Sequence, residues 1–137
     1  MSRGYGTFAR KSIEDESIVL YEYGDYNLNI LACNNVARIY DGSFCIVKSG
    51  LVQPEIHETT RTLPSGRKQT IVKRIPNPIE YDSLLRSNLI KVENCSFCWE
   101  KSHDEFNVDL MVFRLLSKIF QIYQMEGFLP DEVACNY

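Results

Sequence analysis

HDEFNVDLMVFRLLSKIFQIYQME, residues 103–126, is the stretch on which the reading of the fold turns. Its apolar residues recur at intervals of three and four, the period of an α-helix and not of a strand. Phe106, Leu110, Phe113, Leu116, Phe120 and Tyr123 form one stripe, and Val108, Val112, Leu115, Ile119 and Ile122 form a second. Asn107, Arg114, Lys118 and Gln121 are left with a narrow polar face. A helix this apolar has to be covered on most sides, by a curved sheet of its own chain or by another chain. Cover by its own sheet is the more economical arrangement, because monomers seldom expose apolar patches of that size. Ser102 and Glu105 have the spacing of a capping box and Gly127 is a stop signal, so the helix is predicted to run from the cap at Ser102 to Glu126, with Phe113 and Leu116 at its buried centre.

The sheet that would cover it is written upstream as hairpins. TFARKSI and SIVLYEY flank the turn EDE, and the second run is rich in β-branched and aromatic residues. VARIY and SFCIV flank Asp41-Gly42, a dipeptide suited to the positive φ of a tight hairpin turn. YNLNILACNN, between these hairpins, reads either as a strand from Tyr26 or as an irregular connection. IHETTRTL and RKQTIVKRI are joined by Pro64-Ser65-Gly66, and their polarity places this third hairpin at a sheet edge or projecting from the body. NPIEYDSLLRSNL then turns helical, with Asn77 as cap, Pro78 in the first turn and Tyr81, Leu84, Leu85 and Leu89 on one face. The sum is one α+β domain over residues 1–137: an antiparallel hairpin sheet packed against a long C-terminal helix, with one additional short helix.

Composition agrees with that class. Of 137 residues, 45% are apolar and 24% charged, the profile of a soluble globular domain long enough for a core without staples. No run approaches the ~20 apolar residues of a membrane span. The first residues, MSRGYGTFARKSIEDE, lack the apolar core of a secretory signal, so a cytoplasmic protein is expected. Five cysteines without such a signal argue against a disulfide framework, and Cys33, Cys45 and Cys135 are expected to be small buried hydrophobes.

Candidate chemistry is sparse. There is no phosphate loop, no nucleophile elbow and no HExxH. Cys95 and Cys98, in ENCSFCWEKSH, have the spacing of half a zinc site, which His103 and His57 would have to complete. IKVENCSFCWE reads better as a strand, with Val92, Cys95, Phe97 and Trp99 as apolar positions and a bulge near Glu93-Asn94. On a strand, residues three apart point to opposite faces, so the thiols converge only if the chain turns there. No metal and no cofactor are therefore expected. A thioredoxin-like redox pair is disfavoured because the cysteines do not open a helix. His57, beside Glu55 and Glu58, could serve as a base, but nothing near it reads as a nucleophile.

Charge is unevenly distributed. Residues 1–60 carry five Lys/Arg against eight Asp/Glu, residues 61–92 seven against two, and residues 93–137 three against eight, for a net charge of −3. Glu14, Asp15, Glu16, Glu22 and Asp25 cluster on the first hairpin with Tyr21 and Tyr23 between them, a composition suited to a basic protein partner. Arg61, Arg67, Lys68, Lys73 and Arg74 make the third hairpin a basic ribbon that could lie along nucleic-acid phosphates. The acidity of the remainder weighs against nucleic acid.

Small size, acidity and the lack of a catalytic constellation make the chain similar in character to bacterial toxin-immunity proteins, including those of contact-dependent inhibition systems. No motif carries the similarity, so no residue roles transfer. It implies a non-enzymatic inhibitor that covers a toxin's active site. A nucleic-acid-binding module built on residues 61–74 and a small hydrolase or metal-dependent enzyme using His57 or Cys95/Cys98 are the alternatives.

Overall fold

In the computed structural model, which describes residues 4–98 and 100–137, two long strands open the chain. β1 (Tyr5–Glu14) and β2 (Ile18–Asn27) form the first hairpin, closed by Asp15, whose carboxylate accepts the N–H groups of Ser17 and Ile18. β3 (Gly42–Val47) pairs with β2, and β6 (Ile90–Glu93) pairs with β3. A short C-terminal strand, β7 (Glu132–Asn136), pairs with the free side of β1. The result is a five-stranded antiparallel sheet in the order β6-β3-β2-β1-β7.

Period-two alternation sets the inner face of the sheet. Val19, Tyr21 and Tyr23 of β2, Phe44 and Ile46 of β3, Ile90 of β6 and Val133 of β7 are all buried on it. Against this face lies α2 (Leu110–Glu126). Val112, Leu115, Leu116, Ile119 and Phe120 are at most 1% exposed and complete the core with the strand side chains. The buried face therefore straddles the two stripes read from the sequence. Leu116 is at the buried centre, but Phe113 is only half-buried, edge-on to Tyr81.

Gly127 ends the helix in a left-handed conformation, φ 83°, as its stop signal implies. The start differs from expectation. Asp109, not Ser102, caps the helix, accepting the Met111 N–H at 3.0 Å. Ser102 and Asp104 instead satisfy backbone groups of the preceding loop, Asn107 takes a positive φ of 49° that no helix admits, and Glu105 pairs with Arg86. Similarly, α1 (Tyr81–Arg86) begins after Glu80, because Asn77 is held elsewhere, by Gln124.

Two further expectations fail for physical reasons. Residues 36–40 do not form a hairpin with β3. Asn35 clamps this segment into a loop, donating to the carbonyls of Asp25 and Ile39 and accepting the Ile39 N–H, while Arg38 adopts φ 56°. The loop crosses the outer face of the sheet, where Arg38 and Tyr40 cover Phe8. Gly42 serves close packing and not a turn: a Cβ there would lie 2.6 Å from the Tyr23 ring and 2.8 Å from Cys95 Cβ. Secondly, the strand read through CSFC stops at Glu93, and Ser96-Phe97 form a turn closed by the Cys98 N–H on the Cys95 carbonyl at 3.2 Å. Trp99 lies outside the described residues.

The polar hairpin is β4 (Glu55–Thr62) with β5 (Lys68–Ile75), a separate two-stranded sheet. Projection from the body is confirmed: every β4 residue is exposed, and only Arg74 and Ile75 of β5 are half-buried. Arg74 donates to the Gln124 carbonyl of α2 at 2.7 Å, and the Asn77 amide reaches the Gln53 carbonyl at 2.8 Å, so the two ends of the ribbon meet at its root.

Because Leu115 is fully buried at the helix–sheet contact, Leu115→Ala is expected to lower the unfolding free energy by about 2–5 kcal/mol, the usual cost of a core cavity. Phe113→Ala, at the half-exposed margin, is expected to cost less. Urea denaturation of both variants checks the order.

Candidate functional site

The structure does not present the acidic first hairpin as one surface. Tyr21 and Tyr23 are fully buried, Tyr21 donating to the Pro130 carbonyl at 2.6 Å and Tyr23 accepting the Cys95 N–H at 3.2 Å. Both are core residues, contrary to their reading as contact residues. Asp25 is also fully buried. Glu22 pairs with Arg10 at 2.9 Å. Glu14 lies between Lys11 at 2.6 Å and Lys48 at 2.8 Å, which hold its carboxyl below the usual range. Asp15 is occupied by its turn, whose N–H groups lower its pKa. Of the set, Glu16 is exposed and has no ion pair among the described residues. The alternation that puts Val19 in the core sends Tyr21, Tyr23 and Asp25 the same way, a signal present in the sequence.

The basic residues of the third hairpin are brought together. Cross-strand pairs place His57, Thr59, Arg61, Gln69, Ile71 and Lys73 on one face of the ribbon, and Glu58, Lys68, Val72 and Arg74 on the other. Arg61 donates to Gln69 at 2.9 Å, and Arg67 and Lys68 sit at the exposed tip. Ile56, Ile71 and Val72 are 55%, 42% and 55% exposed, so apolar side chains face water on both sides. His57 pairs with Glu55 at 2.9 Å on this open ribbon, away from any enclosed site.

A third constellation was not assembled from the sequence. Asp25 continues the inward phase of Val19, Tyr21 and Tyr23, so β2 carries a carboxylate where the pattern calls for an apolar group. Across from it on β1 is Thr7, also fully buried. The N-cap Asp109 arrives from α2, also 0% exposed, and the 95–98 turn brings two thiols. One ligand atom each from Asp25, Cys98 and Asp109 lie within 4.8 Å of one another, and Cys95 Sγ is 4.0 Å from Asp109 Oδ2. Neither histidine joins the group, so the set of Cys95, Cys98, His103 and His57 is not formed. Asp109 is compensated by capping α2, and Asn94 holds its N–H at 2.8 Å. Asp25 accepts no hydrogen bond from a described donor, and in its protonated form it hydrogen-bonds to the Asp109 carboxyl. A buried polar group left without a partner costs about 1–3 kcal/mol, more if charged.

Burial first, then the Asp109 carboxyl, raises the Asp25 pKa from 3.8 to about 9; Thr7 and Cys95, which face it, pull weakly the other way without forming a good hydrogen bond. Burial also raises both thiols, Cys98 to about 12. A cleft of about 550 Å³ elsewhere, lined by Lys11, Glu14, Lys48, Tyr123, Phe128 and Asp131 among others, has its charges paired with one another. No helix among the described residues is long and apolar enough to cross a membrane.

The chain matches no known protein-family model, and neither a curated protein nor a solved structure matches it.

A carboxyl whose pKa is raised on folding binds a proton in the native state that the unfolded chain releases. Metal-free protein is therefore expected to be more stable at about pH 5 than at about pH 8, the loss beginning above the unfolded value near 4 and continuing towards 9. Asp25→Asn should abolish most of this difference. Over this interval the neighbouring thiols and Tyr23 stay protonated in the folded state, and unfolded thiols titrate only near about 8.5. Urea titrations of both proteins after chelator treatment provide the measurement.

Proposed function

We propose that the chain is a non-enzymatic protein-binding protein of the cytoplasm, an inhibitor of the toxin-immunity kind, and that it grips its partner with the β4–β5 ribbon. The observation that carries this reading is the ribbon itself: sixteen residues standing outside the core, with both outer edges unpaired by strands among the described residues and Ile56, Ile71 and Val72 open to solvent. Unpaired strand edges bearing β-branched side chains are templates for an added strand. The fitting partner segment is extended, with acidic side chains to meet Arg61, Arg67, Lys68 and Lys73. A toxin is the partner class that the similarity in character implies.

The same exposed cations support the second reading, a ribbon lying along nucleic-acid phosphates. Apolar side chains on both faces favour protein.

Since the root of the ribbon is closed by the Asn77–Gln53 contact and by Arg74 on the Gln124 carbonyl, residues 57–73 can be replaced by a short linker that leaves both in place. The shortened protein is expected to keep its urea midpoint and lose the partner that full-length chain retains from its source cells. A partner held equally well by the shortened protein would place the interface elsewhere. Salt-sensitive binding of duplex or single-stranded oligonucleotides, lost in Arg67→Glu/Lys68→Glu, would replace this reading with the nucleic-acid one.

A further inference from the structure

We infer that Asp25, Cys98 and Asp109 form a binding site for a divalent transition-metal ion of the zinc class, with Cys95, whose Sγ lies 4.0 Å from Asp109 Oδ2, as the adjoining thiol that moves in to complete it. The site does not depend on the proposed function, and lies on the sheet and helix, apart from the ribbon.

Three observations point to a cation. The first is convergence: one donor atom each from Asp25, Cys98 and Asp109 falls within 4.8 Å of the other two, from three separate parts of the chain. Tetrahedral zinc binds sulfur at about 2.3 Å and carboxylate oxygen at about 2.0–2.2 Å, so bound ligands stand roughly 3.5 Å apart. Small side-chain movements close the group on an ion. The second is the buried carboxyl pair. Asp25 is 0% exposed, both its oxygens lack a hydrogen-bond donor among the described residues, and it faces a second buried carboxylate. A cation bridging the two takes the place of the proton that Asp25 otherwise shares with Asp109. The third is the turn at Ser96-Phe97. A strand would have sent Cys95 and Cys98 to opposite faces, and on that ground, together with the lack of four cysteine and histidine ligands, no metal is expected from the sequence. The turn, closed by the Cys98 N–H on the Cys95 carbonyl, removes the geometric objection.

The donor set selects the metal. Thiolates favour zinc and its neighbours over magnesium or calcium, which take oxygen ligands. The surroundings are built to hold the donors. The Met111 N–H binds Asp109 Oδ1 at 3.0 Å, leaving Oδ2 on the Cys95 side, and Tyr23 accepts the Cys95 N–H at 3.2 Å. Cys98 is half-buried and gives the ion a route from solvent. Each thiol that binds and the protonated Asp25 lose a proton to buffer as the metal bonds form, so binding strengthens as pH rises.

The test uses full-length protein, reduced and stripped with chelator, then titrated with Zn²⁺ against a chromophoric chelator. One ion per chain is expected, with a rise in melting temperature. Cys98→Ser should weaken binding by at least about tenfold while leaving the metal-free melt near that of the parent chain. Asp109→Asn gives a second reading, because asparagine keeps the helix cap but removes the charge. Co²⁺ in place of zinc should show a thiolate-to-metal charge-transfer band that Cys98→Ser diminishes. Absence of binding at micromolar Zn²⁺, equal affinity in Cys98→Ser and Asp109→Asn, or a cobalt spectrum without thiolate character would each overturn the assignment.

Discussion

The contact between α2 and the inner face of the sheet is the interaction on which the rest of this molecule depends. Leu115, Leu116, Ile119 and Phe120 meet Tyr21, Tyr23, Phe44 and Ile46, all at most 1% exposed. Neither layer could exist alone: a helix this apolar needs cover, and a sheet with such an inner face needs a second layer. Burial of large side chains is worth about 1.5–3 kcal/mol each, and this contact concentrates most of them. It also explains why β7 is held at the sheet edge, since the turn after Gly127 returns the chain directly to β1, where Tyr21 fastens Pro130.

The same layer places the unusual chemistry. Because Val19, Tyr21 and Tyr23 must face α2, Asp25 at the next inward position must face it too, and the N-cap of the helix falls beside it. Asp109 has a structural use that accounts for its burial. Asp25 caps nothing; it stays protonated against Asp109, beside a turn that contributes two thiols. Natural cores seldom hold a carboxyl without a donor or a cation to meet it. This one lies where the fold stacks a second carboxylate and two sulfur atoms around it.

The ribbon follows the opposite logic. It takes almost nothing from the core and is rooted through Arg74 and Asn77 on α2 and Gln53. Its structure comes from cross-strand pairing alone, and an isolated two-stranded hairpin is marginal in water. The apolar side chains it exposes take no part in the core and are the surface on which the proposed contact with a protein partner rests.

Much of the fold was legible from local pattern. Helical period in 110–126, alternation in β2 and the polarity of β4 and β5 are properties of neighbouring residues, so one sequence suffices to read them. So is the left-handed stop at Gly127. The misread pieces are those that side chains distant in sequence decide. Residues 36–40 look like a strand, yet Asn35 ties them into a loop against β2. Ser102 and Glu105 look like a cap, yet Asp109 wins because Asn94 and the core position the helix start there. β7 was missed because five residues are too few to show a period. CSFC looked like a strand because its apolar residues are packed, and packing alone does not separate a strand from a buried turn. The carboxylate and thiol cluster has the same origin. Its members lie on β2, on the turn after β6 and at the start of α2, up to 84 positions apart in the chain. By itself the sequence determined which segments would be helix, strand and ribbon, because those depend on periodicity. Only the tertiary structure decided which polar groups would be buried together, because that depends on which faces the layers press against each other.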